Sequence, residues 1–274
     1  MRDTQGMKDL ADPEIAVIGT DDIIEGIRRL GIADGDDVLV HCSLSAFGLV
    51  AGGEQTVLAA LQSAVGTAGT LFMPAQSWQL CDPDFLDDPA LPAATRVAVR
   101  AALPAFDPVL TPTRTMGRVA ELFRCQPGAL RSRHPHRSFA GRGPAAAQVL
   151  ADHAVEDPFG ESSPLARLYD LGAKILLLGV GYDSCTALHL AEGRARTDVP
   201  LVRNGVAEIG GDGIRRWRTW DEPVVDDSLF PRIGAEFETL AAVPVTRIGS
   251  AECRAVPLAP LVDHAVDLLR KAQS

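Results

Sequence analysis

A threonine, a histidine and a glutamate recur at every third position in one short stretch, as Thr186, His189 and Glu192. If a helix begins near Asp183 or Ser184, residues three apart share one face, so a hydroxyl, an imidazole and a carboxylate point into one cleft. A neutral imidazole is well suited to accept a proton near neutral pH. The spacing therefore suggests acid–base chemistry, although each residue also has a plain structural interpretation as a hydrogen-bonded histidine, a helix-start hydroxyl or a solvated carboxylate.

The elements before this stretch predict where those side chains lie. The apolar run from Lys174 to Val180 ends in glycines, and good helix formers follow it. This pattern predicts a buried strand, a tight turn and the start of a helix. Such turns lie at the carboxyl edge of a sheet, where α/β folds usually keep their functional residues.

A second chemically suggestive loop follows a short predicted strand at Val38 to His41. It runs from Cys42 to Gly48, and its small residues leave backbone N–H groups accessible while Ser43 and Ser45 add hydroxyls. Such a loop can cradle a pyrophosphate, or it is an ordinary serine-rich turn. No Walker lysine and no Gly-x-Gly-x-x-Gly pattern occurs, so a nucleoside triphosphate or dinucleotide site is not supported.

Two further segments carry many polar groups. Residues 76–107, including Trp78, are rich in Asp, Pro and aromatic residues and are expected to form a long loop or lid with a negative rim. The segment from Arg131 to Ala140 gathers three arginines and two histidines around a proline. Arginines suit an anionic phosphate, but His134 and His136 lack acidic or thiolate neighbours, so no metal site is predicted.

The order of the elements predicts an α/β fold with a largely parallel central sheet, flanking helices and an added antiparallel hairpin. A single domain over residues 1–274 is expected, with a loosely ordered start at 1–19. A helix that is opened by residues 52–56 and runs to about residue 65 joins strands 38–41 and 70–74 into a βαβ unit. The remaining predictions are helices at 21–31, 118–124, 143–153, 165–171, 230–240 and 261–271, a hairpin at 206–209 and 214–220, and a strand pair within 246–255.

The composition narrows the possible functions. The 274 residues include 36 acidic and 26 basic side chains, and the net charge of −10 argues against nucleic-acid binding while suiting a cationic partner. No apolar run approaches the ~20 residues of a membrane span, and the polar start lacks a signal core. The five cysteines are odd in number and widely spaced. Reduced thiols in the cytoplasm are therefore expected, and Cys185 is interpreted as a buried structural residue rather than a nucleophile.

Several motifs, in order along most of the chain, resemble one known family. They are Val-His-Cys-Ser-Leu-Ser-Ala-Phe-Gly (40–48), Val-Ala-Gly-Gly-Glu-Gln-Thr-Val (50–57), Arg-Ser-Arg-His-Pro with Ser-Phe-Ala (131–140), Asp-Pro-Phe-Gly with Ser-Pro-Leu-Ala (157–166) and Thr-Ala-Leu-His-Leu-Ala-Glu (186–192). The family is that of the aminoglycoside 3-N-acetyltransferases, or antibiotic N-acetyltransferases. The resemblance implies transfer of acetyl from acetyl-coenzyme A to an amine, on a fold distinct from the common small N-acetyltransferase fold.

The resemblance also implies roles for individual residues. His189 is expected to be the general base, with Glu222 rather than Asp221 orienting it. The chemistry of acyl transfer adds that a backbone N–H or Thr186 could steady the developing charge. Expected contacts to acetyl-coenzyme A come from Ser43, Leu44, Ser45, Phe47, Met116, His134 and Ser138. Expected carboxylates for a polycationic aminoglycoside are Asp183, Glu192, Asp82 and Glu161.

Two other functions remain open at this point. The protein could acetylate a different amine, or it could bind the coenzyme without catalysis. A monomer or a homodimer, without membrane or nucleic-acid partners, is expected.

Overall fold

The computed structural model of the protein describes residues 16–86, 88–195 and 198–272. Its central feature is a seven-stranded sheet in the order β10-β11-β7-β2-β4-β6-β5. The strands are β1 (Val17–Ile18), β2 (Asp37–Cys42), β3 (Leu49–Val50), β4 (Thr70–Pro74), β5 (Leu130–Arg131), β6 (Phe139–Arg142), β7 (Lys174–Leu178), β8 (Leu201–Ile209), β9 (Arg215–Pro223), β10 (Val245–Ile248) and β11 (Ala251–Pro257).

Helices cover both faces of this sheet, which buries an apolar cluster on each side. Helices α1, α2 and α4 pack together on one face, and α5 to α9 lie on the other. They are α1 (Thr20–Arg29), α2 (Glu54–Val65), α3 (Ala93–Ala102), α4 (Gly117–Arg124), α5 (Ala146–Leu150), α6 (Pro164–Asp170), α7 (Leu188–Ala195), α8 (Phe230–Leu240) and α9 (Leu258–Ala272).

The predicted fold class is confirmed, and the parallel part of the sheet is limited to its centre. Strand β2 pairs in parallel with both β4 and β7. All three strands are nearly continuous apolar runs, as is usual for parallel strands that are covered on both faces. The outer pairings, β4 with β6, β6 with β5, β7 with β11 and β11 with β10, are antiparallel. The predicted hairpin forms a separate sheet of β8 and β9 and is longer than expected.

The strands on either side of β2 determine where a ligand-binding crevice can form. The chain leaves β2 through α2 to β4 on one side, while β7 lies on the other side. The loops that follow β2 and β7 therefore leave the same edge of the sheet in a place where the strand order changes direction. In α/β sheets this is the usual place for a ligand-binding crevice.

The lid prediction for residues 76–107 is wrong in part, because this segment contains helix α3 and a 3₁₀ turn at Trp78–Leu80. Alanine, valine and arginine favour a helix over residues 93–102. The helix is fixed by Arg100, whose Nη2 lies 2.6 Å from Asp82 Oδ1 and 2.6 Å from Asp84 Oδ2. These ion pairs neutralise two of the carboxylates that were expected to form a negative rim.

Two other expectations concern the ends of elements. Residues 1–15 of the expected loose start lie outside the described residues, and Val17–Ile18 pairs in parallel with Leu49–Val50. The helix expected from Asp183 or Ser184 is instead a 3₁₀ turn at Tyr182–Ser184, and α7 begins only at Leu188. No helix in the described part of the chain is long and apolar enough to span a membrane.

Candidate functional site

A cleft of about 870 Å³ lies at the edge of the sheet where β2 and β7 end. This volume is within the usual range for small-molecule sites. The loops after β2 and β7 form two of its walls, and the segments around Trp78, Met116 and Asp227 form the others. Of the residues predicted to act at a site, the cleft is lined by Ser43, Leu44, Ser45, Met116, Asp183, Thr186 and His189.

His189 forms a close pair with Glu192 one helical turn later. Nδ1 of His189 lies 2.5 Å from Oε2 of Glu192, and the two side chains are 13% and 7% exposed. The second oxygen of Glu192 accepts a hydrogen bond from the backbone N–H of Asp226 at 3.1 Å. A carboxylate accepts but does not donate, so a neutral His189 carries its proton on Nδ1 and leaves Nε2 as the acceptor.

Aromatic rings enclose the His189 imidazole. Phe159 lies nearly parallel to it, with ring centroids 4.7 Å apart and an interplanar angle of 19°. Phe230 presents an edge contact with centroids 4.8 Å apart. The two rings restrict the imidazole to one orientation and keep water from much of its surface, so its position depends on tertiary packing.

Carboxylates and a hydroxyl surround the histidine in the cleft. Asp183 and Asp227 are both exposed, and they line the cleft together with His189. Thr186 also lines it, although this residue is only 8% exposed. Asp183 and Asp227 thus present exposed carboxylates to the cleft, whereas Glu192 is engaged by His189 and Asp226.

The serine-rich loop after β2 forms the opposite part of the cleft. The hydroxyls of Ser43 and Ser45 are 3.2 Å apart, and the Ser43 N–H donates to Leu178 O of β7 at 2.9 Å. Gly179 permits this close approach, because a Cβ atom there would lie 2.4 Å from that of Ala46 and its φ is +66°. The loop after β2 and the end of β7 are thus held against each other by backbone contacts.

A cationic group lies at the same end of the cleft as this loop. Arg118, in the first turn of α4, lines the cleft, and its side chain is 76% exposed. It donates to Glu54 Oε1 at 2.8 Å. The hydroxyls, the guanidinium group and the nearby start of α4 form a donor set that suits the phosphates of a coenzyme. Nothing in the sequence pattern singled out Arg118, because its role depends on where α4 begins.

Three of the expected coenzyme contacts have buried side chains and do not line the cleft. Phe47 is fully buried in the core beside α1 and α2. His134 is fully buried, and its Nδ1 accepts the backbone N–H groups of His136 and Arg137 at 3.1 and 3.0 Å. Ser138 donates to Ala75 O at 2.7 Å. The side chains of His134 and Ser138 bond to backbone groups and do not face the cleft. Their expected contact with the coenzyme is therefore corrected, and both residues have a structural role.

The expectation that Glu222 orients His189 is also corrected. Glu222 is fully buried on β9, where Oε1 accepts from Arg137 Nη2 at 2.9 Å and Oε2 accepts from Trp220 Nε1 at 2.8 Å. Its neighbour Asp221 is exposed and pairs with Arg203. Glu192, and not Glu222, contacts the imidazole, since Glu192 lies one turn from His189 on the same helix.

Two expected substrate carboxylates are engaged elsewhere. Asp82 is buried and pairs with Arg100. Glu161 pairs with Arg194 at 2.7 Å, and this contact lowers the pKa of Glu161. Neither residue lines the cleft, so neither is in position to contact a ligand there.

Of the three arginines in the basic segment at 131–140, Arg133 is exposed, and the other two are held by protein groups even though Arg137 lines the cleft. Arg131 donates to Ser138 Oγ and Ser77 Oγ at 2.9 Å each, and burial lowers its pKa to about 10. Arg137 is committed to Glu222. In residues 16–86, 88–195 and 198–272 there is no group of three or more His, Cys, Asp or Glu side chains arranged to hold a metal ion.

Burial opposes the charged forms of His41 and Cys185, so these side chains are poorly suited to proton transfer or nucleophilic attack. Burial lowers the pKa of His41 to about 4 and raises that of Cys185 to about 12. His41 is therefore neutral at pH 7, and Cys185 remains a thiol.

Comparison with known proteins agrees with this geometry. Residues 39–270 match the family model described as aminoglycoside 3-N-acetyltransferase. Aminoglycoside N(3)-acetyltransferase VIII of Streptomyces fradiae is 48% identical over 199 residues, which cover 72% of this chain and 68% of that protein. The crystal structure of YokD from Bacillus subtilis superposes with a TM-score of 0.92 at 36% identity and covers 97% and 98% of the two chains.

A further solved structure, of AAC-IIIb in binary complex with CoASH, has a TM-score of 0.83 at 30% identity and covers 94% of this chain and 98% of that one. The family match spans most of the sequence, and the similarity extends over the whole described fold. The chain therefore belongs to the aminoglycoside 3-N-acetyltransferase family.

Proposed function

We propose that this protein transfers the acetyl group of acetyl-coenzyme A to the 3-amino group of an aminoglycoside, with His189 as general base. The observation that carries the proposal is the His189–Glu192 pair in a cleft that is also lined by serine hydroxyls, a guanidinium group and exposed carboxylates. The names of the relatives support this substrate class, and one of the solved relatives holds the coenzyme thiol.

The chemistry of the base follows from its hydrogen bonds. An amine that is protonated at neutral pH has no lone pair for attack, so it must lose a proton before or during acyl transfer. Nε2 of His189 accepts this proton, while Glu192 holds Nδ1–H and stabilises the imidazolium that forms. The amine nitrogen then attacks the thioester carbonyl carbon directly, the carbon–sulfur bond breaks, and the proton on Nε2 of His189 passes to the departing coenzyme thiolate, so no acyl-enzyme is required.

The acceptor end of the cleft suits a polycation. Asp183 and Asp227 supply two exposed carboxylates near His189. Charge complementarity of this kind speeds encounter and orients a ligand. Thr186, at the edge of the same space, is proposed to donate to the charge that develops on oxygen or sulfur during transfer.

The other end suits the coenzyme. Ser43 and Ser45 supply hydroxyls, Arg118 supplies a cation, and Leu44 and Met116 supply apolar surface for the pantetheine arm. Coenzyme A is long, and the cleft runs without interruption from this loop to His189. The chain's residues thus fit the coenzyme by donor chemistry and by the position of the base at the far end.

The direct experiment is an acetylation assay on the purified protein. Release of coenzyme thiol is followed on addition of gentamicin, kanamycin or apramycin, and NMR of the product locates the new acetyl group on the 3-amino nitrogen. The variant His189→Asn serves as the background.

Three other results would change the assignment. Thiol release with simple amines but with no aminoglycoside would show a different acceptor class. Coenzyme binding without release for any amine would show a binding protein. Acetylation at another nitrogen would reject the proposed regiochemistry.

A further inference from the structure

We propose that Arg137 and Glu222 form a positioning pair for His189, in which neither residue contacts the imidazole and both act through Phe159. This inference rests on the proposed function, since it concerns the residue assigned as the base there. Glu222 was expected from the sequence to orient His189 directly, and the structure shows a buried contact path between the two instead.

The path is a stack of flat groups. The Arg137 guanidinium lies 3.8 Å from the centroid of Trp78, which is a wall of the cleft. Its carbon is also 5.3 Å from the centroid of Phe159. Phe159 lies 4.7 Å from the His189 ring at 19°. Any shift of the guanidinium therefore changes how Phe159 supports the imidazole.

Arg137 is held both at its guanidinium group and at its backbone. Glu222 Oε1 accepts from Arg137 Nη2 at 2.9 Å, and the Arg137 backbone N–H donates to His134 Nδ1 at 3.0 Å. The two charged side chains are 3% and 0% exposed. A buried pair of this kind is costly to break, because either charge alone is left without a partner in a medium of low dielectric.

Glu222 is itself fixed by the hairpin. Its Oε2 accepts from Trp220 Nε1 at 2.8 Å, and Trp220 stacks on His136 with centroids 5.3 Å apart. The pair thus ties β9 to the 134–138 segment and, through Phe159, to α7. Among the residues that the structure describes, no hydrogen bond, ion pair or ring contact joins β9 to His189, so the influence of the hairpin on the base passes through Arg137.

Other charges also face His189 and must be kept constant in a test. Glu192 contacts it from its own helix, Asp183 and Asp227 face it across the cleft, and Asp226 contacts Glu192 through its backbone. Glu161 lies on the Phe159 segment but is paired with Arg194. Arg137 and Glu222 are distinguished from these groups by the aromatic ring that separates them from the imidazole.

The test compares Arg137→Met, Glu222→Gln and the double variant. Each single change should lower kcat by a factor of about 10 while KM for acetyl-coenzyme A and for the aminoglycoside stays within about twofold. The titration of the His189 ring, followed by NMR and assigned with His189→Asn, should move in opposite directions. It should move upward when Arg137 is lost and downward when the Glu222 charge is lost.

The double variant separates positioning from folding. It removes both buried charges, and its glutamine oxygen still accepts from Trp220, so the thermal midpoint should recover towards that of the unsubstituted protein. We expect kcat to stay low, because methionine does not replace the planar guanidinium against Phe159. Asp221→Asn on the same strand is the matched control and should change none of these quantities.

Full recovery of kcat in the double variant would overturn the proposal, since the pair would then serve folding alone. An effect confined to KM would also overturn it, because Arg137 would then contact a ligand directly. Failure of the proposed function gives a different result. In that case His189→Asn retains turnover, while the ring titration in the two charge variants still moves.

Discussion

Oε2 of Glu192 lies 2.5 Å from Nδ1 of His189 on the same helix. This contact fixes the protonated nitrogen of the neutral imidazole and leaves the other nitrogen to accept a proton. The contact depends on the i to i+3 spacing within α7 and on the backbone N–H of Asp226, which holds the second carboxylate oxygen at 3.1 Å.

Replacement of the base should abolish most of the catalysis. We expect His189→Ala to lower kcat by a factor of ~10² to 10⁴ with little change in coenzyme affinity, because the imidazole acts on the amine proton and not on the phosphates. Steady-state kinetics and calorimetric binding of coenzyme A measure the two effects. His264→Asn on α9 is the control. Near-normal turnover in the alanine variant would remove His189 from its role.

Removal of the Glu192 charge, which orients the base, should lower kcat strongly while the protein stays folded. In Glu192→Gln, the amide can donate to Nδ1 and so stabilise the wrong tautomer of His189. We expect kcat to fall by a factor of about 10² or more. The pH profile of kcat/KM should change in the same variant. A profile and rate like those of the unsubstituted enzyme would show that Glu192 only caps local structure.

The carboxylates at the acceptor end should control recognition of the cation. Asp183→Asn combined with Asp227→Asn should raise KM for an aminoglycoside by about 10-fold and weaken its dependence on salt. The KM for acetyl-coenzyme A should stay the same. Asp212→Asn, at an exposed ion pair on the hairpin, is the control. A change limited to kcat would contradict a role in binding.

The hydroxyls of Ser43 and Ser45 should strengthen binding of coenzyme A, which carries phosphates, and not binding of its thiol arm alone. Loss of two hydrogen bonds in Ser43→Ala with Ser45→Ala should weaken coenzyme A binding by about 10-fold, at roughly 0.5–1.5 kcal/mol for each bond. Binding of pantetheine, which lacks the phosphates, is the comparison. Equal weakening of both ligands would show that the serines shape the loop and do not contact phosphate.

The buried histidines should make the fold sensitive to mild acid. Burial lowers the pKa of His41 and His153 to about 4 and that of His136 to about 3, from an ordinary value of 6.5. Between pH 6.5 and 4 the unfolded chain therefore binds more protons than the folded protein. The free energy of unfolding is fully retained above pH 6.5 and falls as the pH drops towards 4.

The size of this effect can be measured by urea unfolding at pH 7 and pH 5. Each histidine whose pKa falls to about 4 contributes a loss of about 2 kcal/mol over that interval. The variant His153→Asn should show a smaller loss, whatever its stability at pH 7. A free energy of unfolding that is the same at both pH values would contradict the prediction.

Much of the fold could be predicted because it depends on local patterns. Short apolar runs bounded by turn residues predicted β2, β4 and β7, and spacing along the chain predicted the βαβ unit and the hairpin. Helix α3 was missed because it has no fully buried residue, and its ion pairs to Asp82 and Asp84 join residues up to 18 positions apart. Sequence patterns do not show such partners.

The same division between local sequence patterns and contacts among distant residues holds for the site. The sequence by itself determined the family motifs, the serine loop and the spacing of Thr186, His189 and Glu192, because these are set by neighbours along the chain. Only the tertiary structure decided which carboxylate meets the imidazole, since Glu222 lies across the molecule and its charge is taken by Arg137. It also decided that His134, Ser138 and Phe47 are buried, because burial depends on packing between distant segments.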